Sequence, residues 1–272
     1  YITYRVLDIA DLTVEGSFPL GAAVAASLLA GGYSPWLAFG AAMLAGMLAG
    51  VATGLLHTKL KIPALLAGIL TMIALYSVNL RVMGKANLSL LRVDTVFSIM
   101  RDIGGFSNAQ AVLCVGIVSS FLIGGLIYWF FGTEIGAAIR ATGFNPQMIR
   151  AQGVDTNFTI ILGLLISNAL VALSGALVAQ NNGFADVGMG TGTIVIGLAS
   201  VIIGEVLFGT RSFKNCIISV VLGSIVYRLV IAAVLQMGMP PNDLKLFTAI
   251  LVAFALSLPL IKSKLGLRKA VK

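Results

Sequence analysis

In a chain that is otherwise overwhelmingly apolar, a few polar residues are placed where they could do chemistry. Asp8, Asp11 and Glu15 cluster beside Gly16 and Pro19, and Thr13 and Phe18 lie among them. A second cluster, Gln180 to Gly192, mixes amides, glycines and one carboxylate: Asn181, Asn182, Asp186, Gly188, Gly190 and Gly192. Glu205 and Arg228 sit inside apolar runs. Ionisable groups within such runs are expensive and persist beside water, a partner or a solute path. Glycine and proline next to them favour broken helices, which are tolerated where they line a cavity. Asp11, Thr13, Glu15, Phe18, Asn181, Asn182, Asp186, Glu205 and Arg228 are therefore candidate path residues. The competing reading of the first cluster is a turn between helices, with Thr13 or Ser17 as N-cap. For Arg228 the first expectation is a structural pair with Glu205, because buried charges are generally paired; the second is a place on the path.

Catalytic patterns are missing from the sequence. It holds no G-x-x-x-x-G-K-[ST] phosphate loop, H-E-x-x-H helix or nucleophile elbow. Gly188-x-Gly190-x-Gly192 follows no strand pattern and has the wrong spacing for a dinucleotide fingerprint. One histidine, His57, cannot build a zinc site and is expected to be a solvated loop residue. Cys114 and Cys216 lie in apolar runs and are expected to be small core residues. The chain is not expected to be an enzyme or to hold a metal or cofactor.

The elements that must position these residues are membrane helices. Hydrophobic residues make up 58% of the 272 positions and charged residues 10%, against about 25% charged in soluble domains. A span needs about 20 apolar residues, and such runs recur at 36–56, 64–84, 109–131, 158–179, 216–237 and 244–261, with shorter ones at 18–31 and 193–208. The expected fold is all-α, one polytopic membrane domain over 1–272 with about eight to nine transmembrane or broken helices. Asn79 and Arg81, in the last turns of their span, are expected to snorkel, and Asn168 to satisfy a neighbouring helix. Gly46-x-x-x-Gly50-x-x-x-Gly54 is a ridge for close helix packing, either within the subunit or against a second copy. Residues 93–103 have mixed apolar spacing that fits a surface helix or, equally, a simple lid of loop. Because the chain opens with Tyr inside an apolar pattern, we expect the natural chain to begin earlier.

Residues 132–156 are the polar interruption that reads as a built object. A helical pattern from Glu134 ends at Gly143; Asn145 caps a second short helix beginning at Pro146, which stops at Gly153. An exposed helix–turn–helix of this kind suits a soluble partner, although an ordinary connection would read alike. Gly136-x-Ala138-x-Arg140-Ala141-x-Gly143-x-Asn145-Pro146, followed by Gly153-Val154, resembles the coupling loop of the branched-chain amino acid and ribose type of ABC importer permease. Asp11-Leu-Thr-Val-Glu-Gly-Ser-Phe-Pro-Leu-Gly21 resembles a second hallmark of that family, closest to single-permease systems linked to aromatic amino acid uptake. The resemblance covers essentially the whole chain. It implies a transmembrane subunit that moves a small polar solute inward by alternating access, usually as a homodimer. It further implies cytoplasmic ATPase subunits that carry ATP and Mg, and an extracytoplasmic solute-binding protein. Glu134, Gly136, Arg140, Ala141, Gly143, Asn145, Pro146, Met148 and Gly153 would form the ATPase-coupling surface. The alternative is a stand-alone secondary transporter or channel.

Charge orients the scheme. With 132–156 in the cytoplasm, the loops at 57–63 and 209–215 and the tail 262–272 also fall inside, and Lys and Arg concentrate there. This explains the net charge of +8 without nucleic acid, and implies a multi-pass plasma-membrane protein. It places the N-terminus outside with the first helix descending. Asp11 before one short helix and Asp186 before another form a faint internal echo, as an inverted repeat would.

Overall fold

The structure is a computed structural model, described here for residues 1–91, 93–105, 107–238, 243, 246–253 and 257. Half of the expected last span and all of the basic tail 262–272 lie outside the described residues, as does Arg92. The chain separates into two compact units, residues 2–191 and residues 192 onward together with Tyr1.

The larger unit is a helical bundle built from α1 (Val14–Ala30), α2 (Pro35–Thr58), α3 (Ala64–Met83), α4 (Val96–Gly104), α5 (Asn108–Gly132), α6 (Glu134–Phe144), α7 (Pro146–Ala151) and α8 (Thr156–Asn182). Its centre is made of small residues rather than large ones. Ala22, Ala23, Ala25 and Ala26 of α1 have no exposed surface. Gly46 and Gly50 of α2 lie so close to α8 that a Cβ would overlap the carbonyls of Asn168 and Leu164, and one on Gly54 would stand 2.9 Å from Ile161. The ridge expected from sequence is thus an α2–α8 seam within this chain. In a bilayer lipid is as apolar as leucine, so close backbone approach supplies the packing force. Large apolar side chains point outward instead: Phe121 and Trp129 of α5 and Leu48 of α2 are 79%, 69% and 71% exposed.

Polar bonds then tie four helices together. Asn168 on α8 accepts from the Ser17 hydroxyl at 2.7 Å and donates to Asp11 Oδ2 at 2.9 Å. Thr53 of α2 lies 2.7 Å from the Thr13 hydroxyl and donates to Thr71 of α3 at 2.9 Å. Because the one Thr53 proton is already committed, Thr13 is the donor between them. Asn79 of α3 donates to the Gly16 carbonyl at 3.3 Å. Asn168 meets its expectation. Asn79 does not: it is fully buried rather than snorkelling, while Arg81 is exposed.

Three further expectations are corrected. Gly16 and Pro19 do not break the first short helix but lie inside α1. The break precedes it, at 7–13, where Asp8 takes a left-handed φ of 54°. Residues 2–6 form one π-helical turn, and Val6 packs on Gly143 of α6 while Leu7 covers Gly163 of α8. Residues 2–7 therefore share the α6 side of the bundle and are not across the membrane from loop 132–156. His57 ends α2 half-buried, with Nδ1 2.8 Å from the Ile62 carbonyl, rather than lying in a solvated loop.

At the opposite end of α8 a ribbon appears that the sequence did not announce. Strand β1 (Asn87–Ser89) pairs antiparallel with β2 (Phe184–Asp186), Asn87 facing Asp186. It joins the exits of α3 and α8. The surface helix α4 is tied to the same end by Val96 N–H donating to Gln180 Oε1 at 3.0 Å. A 3₁₀ turn, Val187–Gly190, follows β2.

In the smaller unit α9 (Thr193–Phe208) and α10 (Phe213–Gln236) form a hairpin. A Cβ on Gly204 would overlap the Ser219 carbonyl, and one on Gly223 the Ser200 carbonyl. Residues 246–253 are helical, and Tyr227 reaches Thr248 at 3.2 Å. Among the described residues, six apolar stretches of 20 to 27 residues are long enough to cross a membrane, and α1 is a shorter one. The all-α polytopic reading stands, with the ribbon added.

Candidate functional site

The start of α1 is the pivot of the site. Asp11 Oδ1 accepts the Thr13 N–H at 3.0 Å, and the bonds to Asn168 and Thr53 fix both residues in the bundle. Pro19 has no N–H to offer the Glu15 carbonyl four residues back. The backbone of Gly190 approaches that carbonyl so closely that a Cβ would overlap it, and would stand 2.7 Å from Pro19 Cδ. The 3₁₀ turn is itself set by Asp186, whose Oδ1 accepts the Gly188 N–H at 2.7 Å. Asp11 and Asp186 thus make the same two-residue turn, which is the local content of the echo in the sequence.

Between α1, α3 and this turn lies a cavity of about 430 Å³. Glu15, Gly16 and Pro19 line one wall, Met72, Ile73, Tyr76, Ser77 and Asn79 a second, and Val187, Gly188 and Thr191 a third. Of the candidate path residues, only Glu15 lines it. Asp11 and Thr13 are buried in the helix network, and Phe18 is half-buried with its carbonyl against Gly175. Asn181 and Asn182 are exposed in the last turn of α8, where Gln180, not they, makes the buried contact. Asp186 supports the turn but does not line the cavity.

Glu205 and Arg228 belong to the smaller unit and do not form the expected pair. Gly204 faces Ser219 and Gly223 in the hairpin, so Arg228 lies nine residues beyond the level of Glu205's neighbour Ser219. At about 1.5 Å of rise per residue that is roughly 13 Å. Arg228 is exposed and makes no ion pair among the described residues.

The second site is α6–α7. Asn145 caps α7, its Oδ1 accepting from Gln147 and Met148 N–H at 3.1 Å each, and Gly153 ends the segment at φ 87°. One face is anchored. Ile139 and Ile149 are buried, Thr142 meets Thr159 of α8 at 2.9 Å, and Arg150 Nε donates to Thr156 at 2.6 Å. Gly136 packs against the Phe130 carbonyl and Gly143 against that of Val6, so both glycines are contacts within the chain. Arg140 and Ala141 are half-buried; Glu134, Asn145, Pro146 and Met148 face out. The most exposed apolar group there is Phe144, at 96%, with Ile135 at 51% and Met148 at 48%.

Sequence reasoning missed Phe144, Tyr76, Ser77 and Thr191. Tyr76, Ser77 and Asn79 were visible as a polar group inside an apolar span, and the three-residue spacing of Tyr76 and Asn79 puts them on one helix face. Phe144 carried no signal, because an aromatic at a helix end looks like core.

Comparison with known proteins places these features. The sequence profile of the branched-chain amino acid transport system permease component matches residues 1–266. The tyrosine transport system permease protein of Clostridioides difficile is 43% identical over 93% of this chain and 82% of its own. The D-allose transport system permease protein of Escherichia coli is 30% identical over 79% of this chain and 64% of its own. No solved structure matches. Membrane-length helices and a profile match over nearly the whole sequence lead to one conclusion: the chain belongs to the branched-chain amino acid transport system permease family and is a multi-pass plasma-membrane permease subunit of an ABC importer.

Proposed function

We propose that this permease works as a homodimer which imports an amino acid with an aromatic side chain, driven by two cytoplasmic ATPase subunits that hold ATP and Mg and fed by an extracytoplasmic solute-binding protein. The relative with 43% identity, named for tyrosine transport, supports the solute class. The loop charges support the orientation, with α6–α7 inside and the ribbon and α4 outside.

The observation that carries the coupling assignment is the outer face of α6–α7. Phe144 is 96% exposed at the corner between two capped, anchored helices. An aromatic presented on a rigid corner is the kind of anchor that fills a pocket on a partner. The ATPase covers Phe144 and Met148; closure of the ATPase dimer pushes α6, and the bundle alternates between its two openings. Phe144→Asp should abolish co-purification of the ATPase in mild detergent while leaving the unfolding midpoint of the permease unchanged, since among the described residues the side chain is 96% exposed. Full retention of the ATPase would place its docking surface elsewhere.

A further inference from the structure

We propose that the cavity between α1, α3 and the 187–190 turn receives the ring of the imported solute, and that it selects rings carrying a hydrogen-bond donor, which Asn79 Oδ1 accepts. This rests on the aromatic amino-acid reading above and names the part of the solute that the cavity recognises.

Gly16, Pro19, Asn79 and Val187 are buried and form the floor of the cavity; Ile73, Tyr76, Ser77, Gly188 and Thr191 are exposed and form its rim. On the floor, Gly16, Pro19 and Val187 present no polar side chain. Asn79 does, and it is fully buried. Its N–H₂ donates to the Gly16 carbonyl at 3.3 Å. A carbonyl can only accept, so this contact fixes which way round the amide lies. Oδ1 is left over, buried and without a hydrogen-bond partner. Buried acceptors are rarely left so, and an orphan marks where a donor is to be sought. None of the described residues supplies one, so the donor must arrive through the cavity that Asn79 borders.

The charges of an amino acid do not belong on this floor. The lining includes no Lys, Arg or His to meet a carboxylate. Glu15 already has a partner within the chain and is not called upon for the ammonium. Unpaired charge at membrane depth is expensive, so the solute keeps both charges at the exposed rim, by the Ser77 and Thr191 hydroxyls, and its ring enters first. Pro19, Met72 and Val187 offer the ring an apolar surface, and Tyr76 at the mouth can stack on it. A lipid acyl chain would suit these walls but has no donor for Oδ1; a ring with an O–H or N–H suits both. The volume of about 430 Å³ falls in the range of about 300–1,000 Å³ typical of small-molecule sites.

The test uses the permease–ATPase complex in nanodiscs, without binding protein, and measures equilibrium binding of labelled tyrosine. Phenylalanine, which lacks the ring donor, and 4-aminophenylalanine, which keeps one, serve as competitors. In parallel, ATP-dependent tyrosine uptake is measured with the complete importer in proteoliposomes. The amino compound should compete nearly as well as tyrosine, and phenylalanine about tenfold more weakly, as loss of one hydrogen bond to a buried acceptor requires. Asn79→Ala should erase that preference by weakening tyrosine about tenfold while leaving phenylalanine unchanged, which a merely structural role for Asn79 would not do. Ile73→Trp, at an exposed position, should fill the mouth and weaken all three ligands; with the wild-type preference it decides the matter if the Asn79 variant does not assemble. Uptake without binding, equal competition by phenylalanine, a preference that survives Asn79→Ala, or binding that Ile73→Trp leaves unchanged overturns the subsite and leaves the importer reading standing. Absence of tyrosine uptake by the complete wild-type importer overturns the aromatic amino-acid reading and the subsite with it.

Discussion

Replacing Asn168 by Ala should be among the most damaging single changes in the bundle, although Asn168 touches no solute cavity. The substitution deletes its bonds to Ser17 at 2.7 Å, Asp11 at 2.9 Å and the Leu164 carbonyl at 3.0 Å. The third matters little, because that carbonyl belongs to the helix ladder. The Asp11 bond has a charged acceptor, worth about 1.5–3 kcal/mol in proteins generally, whereas interhelical bonds in membranes average about 0.6 and reach about 1.7 kcal/mol. Taking ~1.5 for Asp11 and ~0.6 for Ser17 gives a loss of about 2 kcal/mol, before any penalty for the cavity left behind. A double-mutant cycle of Asp11→Ala with Asn168→Ala should return a coupling of about 1.5 kcal/mol, all of it the bond between them. Unfolding by SDS in mixed micelles, followed by the fluorescence of the two tryptophans, Trp36 and Trp129, measures each corner of the cycle. Additivity within about 0.5 kcal/mol would refute the argument, since it would mean that the carboxylate finds water or another donor as soon as Asn168 is gone.

Two further substitutions test the close backbone contacts. Gly50→Val places side-chain atoms on the Leu164 carbonyl and must part α2 from α8; it should cost at least about 1–3 kcal/mol in the same titration, whereas Gly40→Val, with nothing within 4 Å of its Cβ position, should stay within about 0.5 kcal/mol of wild type. Gly143→Val pushes α6 off the Val6 carbonyl and should leave the ATPase bound but reduce uptake per ATP hydrolysed about tenfold or more, a loss of at least about 1.4 kcal/mol of coupling; unchanged stoichiometry in proteoliposomes would show that the Val6 contact transmits nothing.

The spans were legible because bilayer thickness dictates a run length and the sequence displays it. The α6–α7 corner was legible for a different reason: Gly143, Asn145, Pro146 and Gly153 act on their own backbone, so their meaning needs no distant partner. The Gly46–Gly54 ridge announced a close contact, and only its partner, α8, was missing. What failed was the reading of isolated polar residues. Asp11 and Glu15 are both carboxylates beside glycine and proline, and nothing local separates them. Asp11 is bonded because Asn168 stands opposite, 157 positions along the chain; Glu15, one helical turn on, meets a cavity because Gly190 and α3 leave space there. Asn79 read as a snorkelling residue because its distance from the span's end was visible, whereas the Gly16 carbonyl it satisfies was not. The β1–β2 ribbon, three residues on each side, is too short for an alternating pattern to register.

The buried network links the α6–α7 corner to the cavity. Gly143 on α6 touches the Val6 carbonyl, and Leu7 is seated over Gly163 of α8. From there the chain runs seven residues, through the left-handed Asp8, to the Thr13 that precedes α1, with Ile9 held by the Thr3 carbonyl at 2.9 Å. Asp11 and Thr13 are bonded to α8 and α2, and Glu15 follows at the cavity wall. This segment is therefore short, bonded at both ends and irregular in between. A push on α6, as in the proposed coupling, would reach the first turn of α1 without having to unpack the alanine-rich half of that helix. The irregular backbone at 7–13 can absorb a change of φ and ψ that an α-helix could not, which is the property required of a hinge. Asp11 and Thr13, which proved not to line the cavity, hold Glu15 to its wall while the segment before them moves.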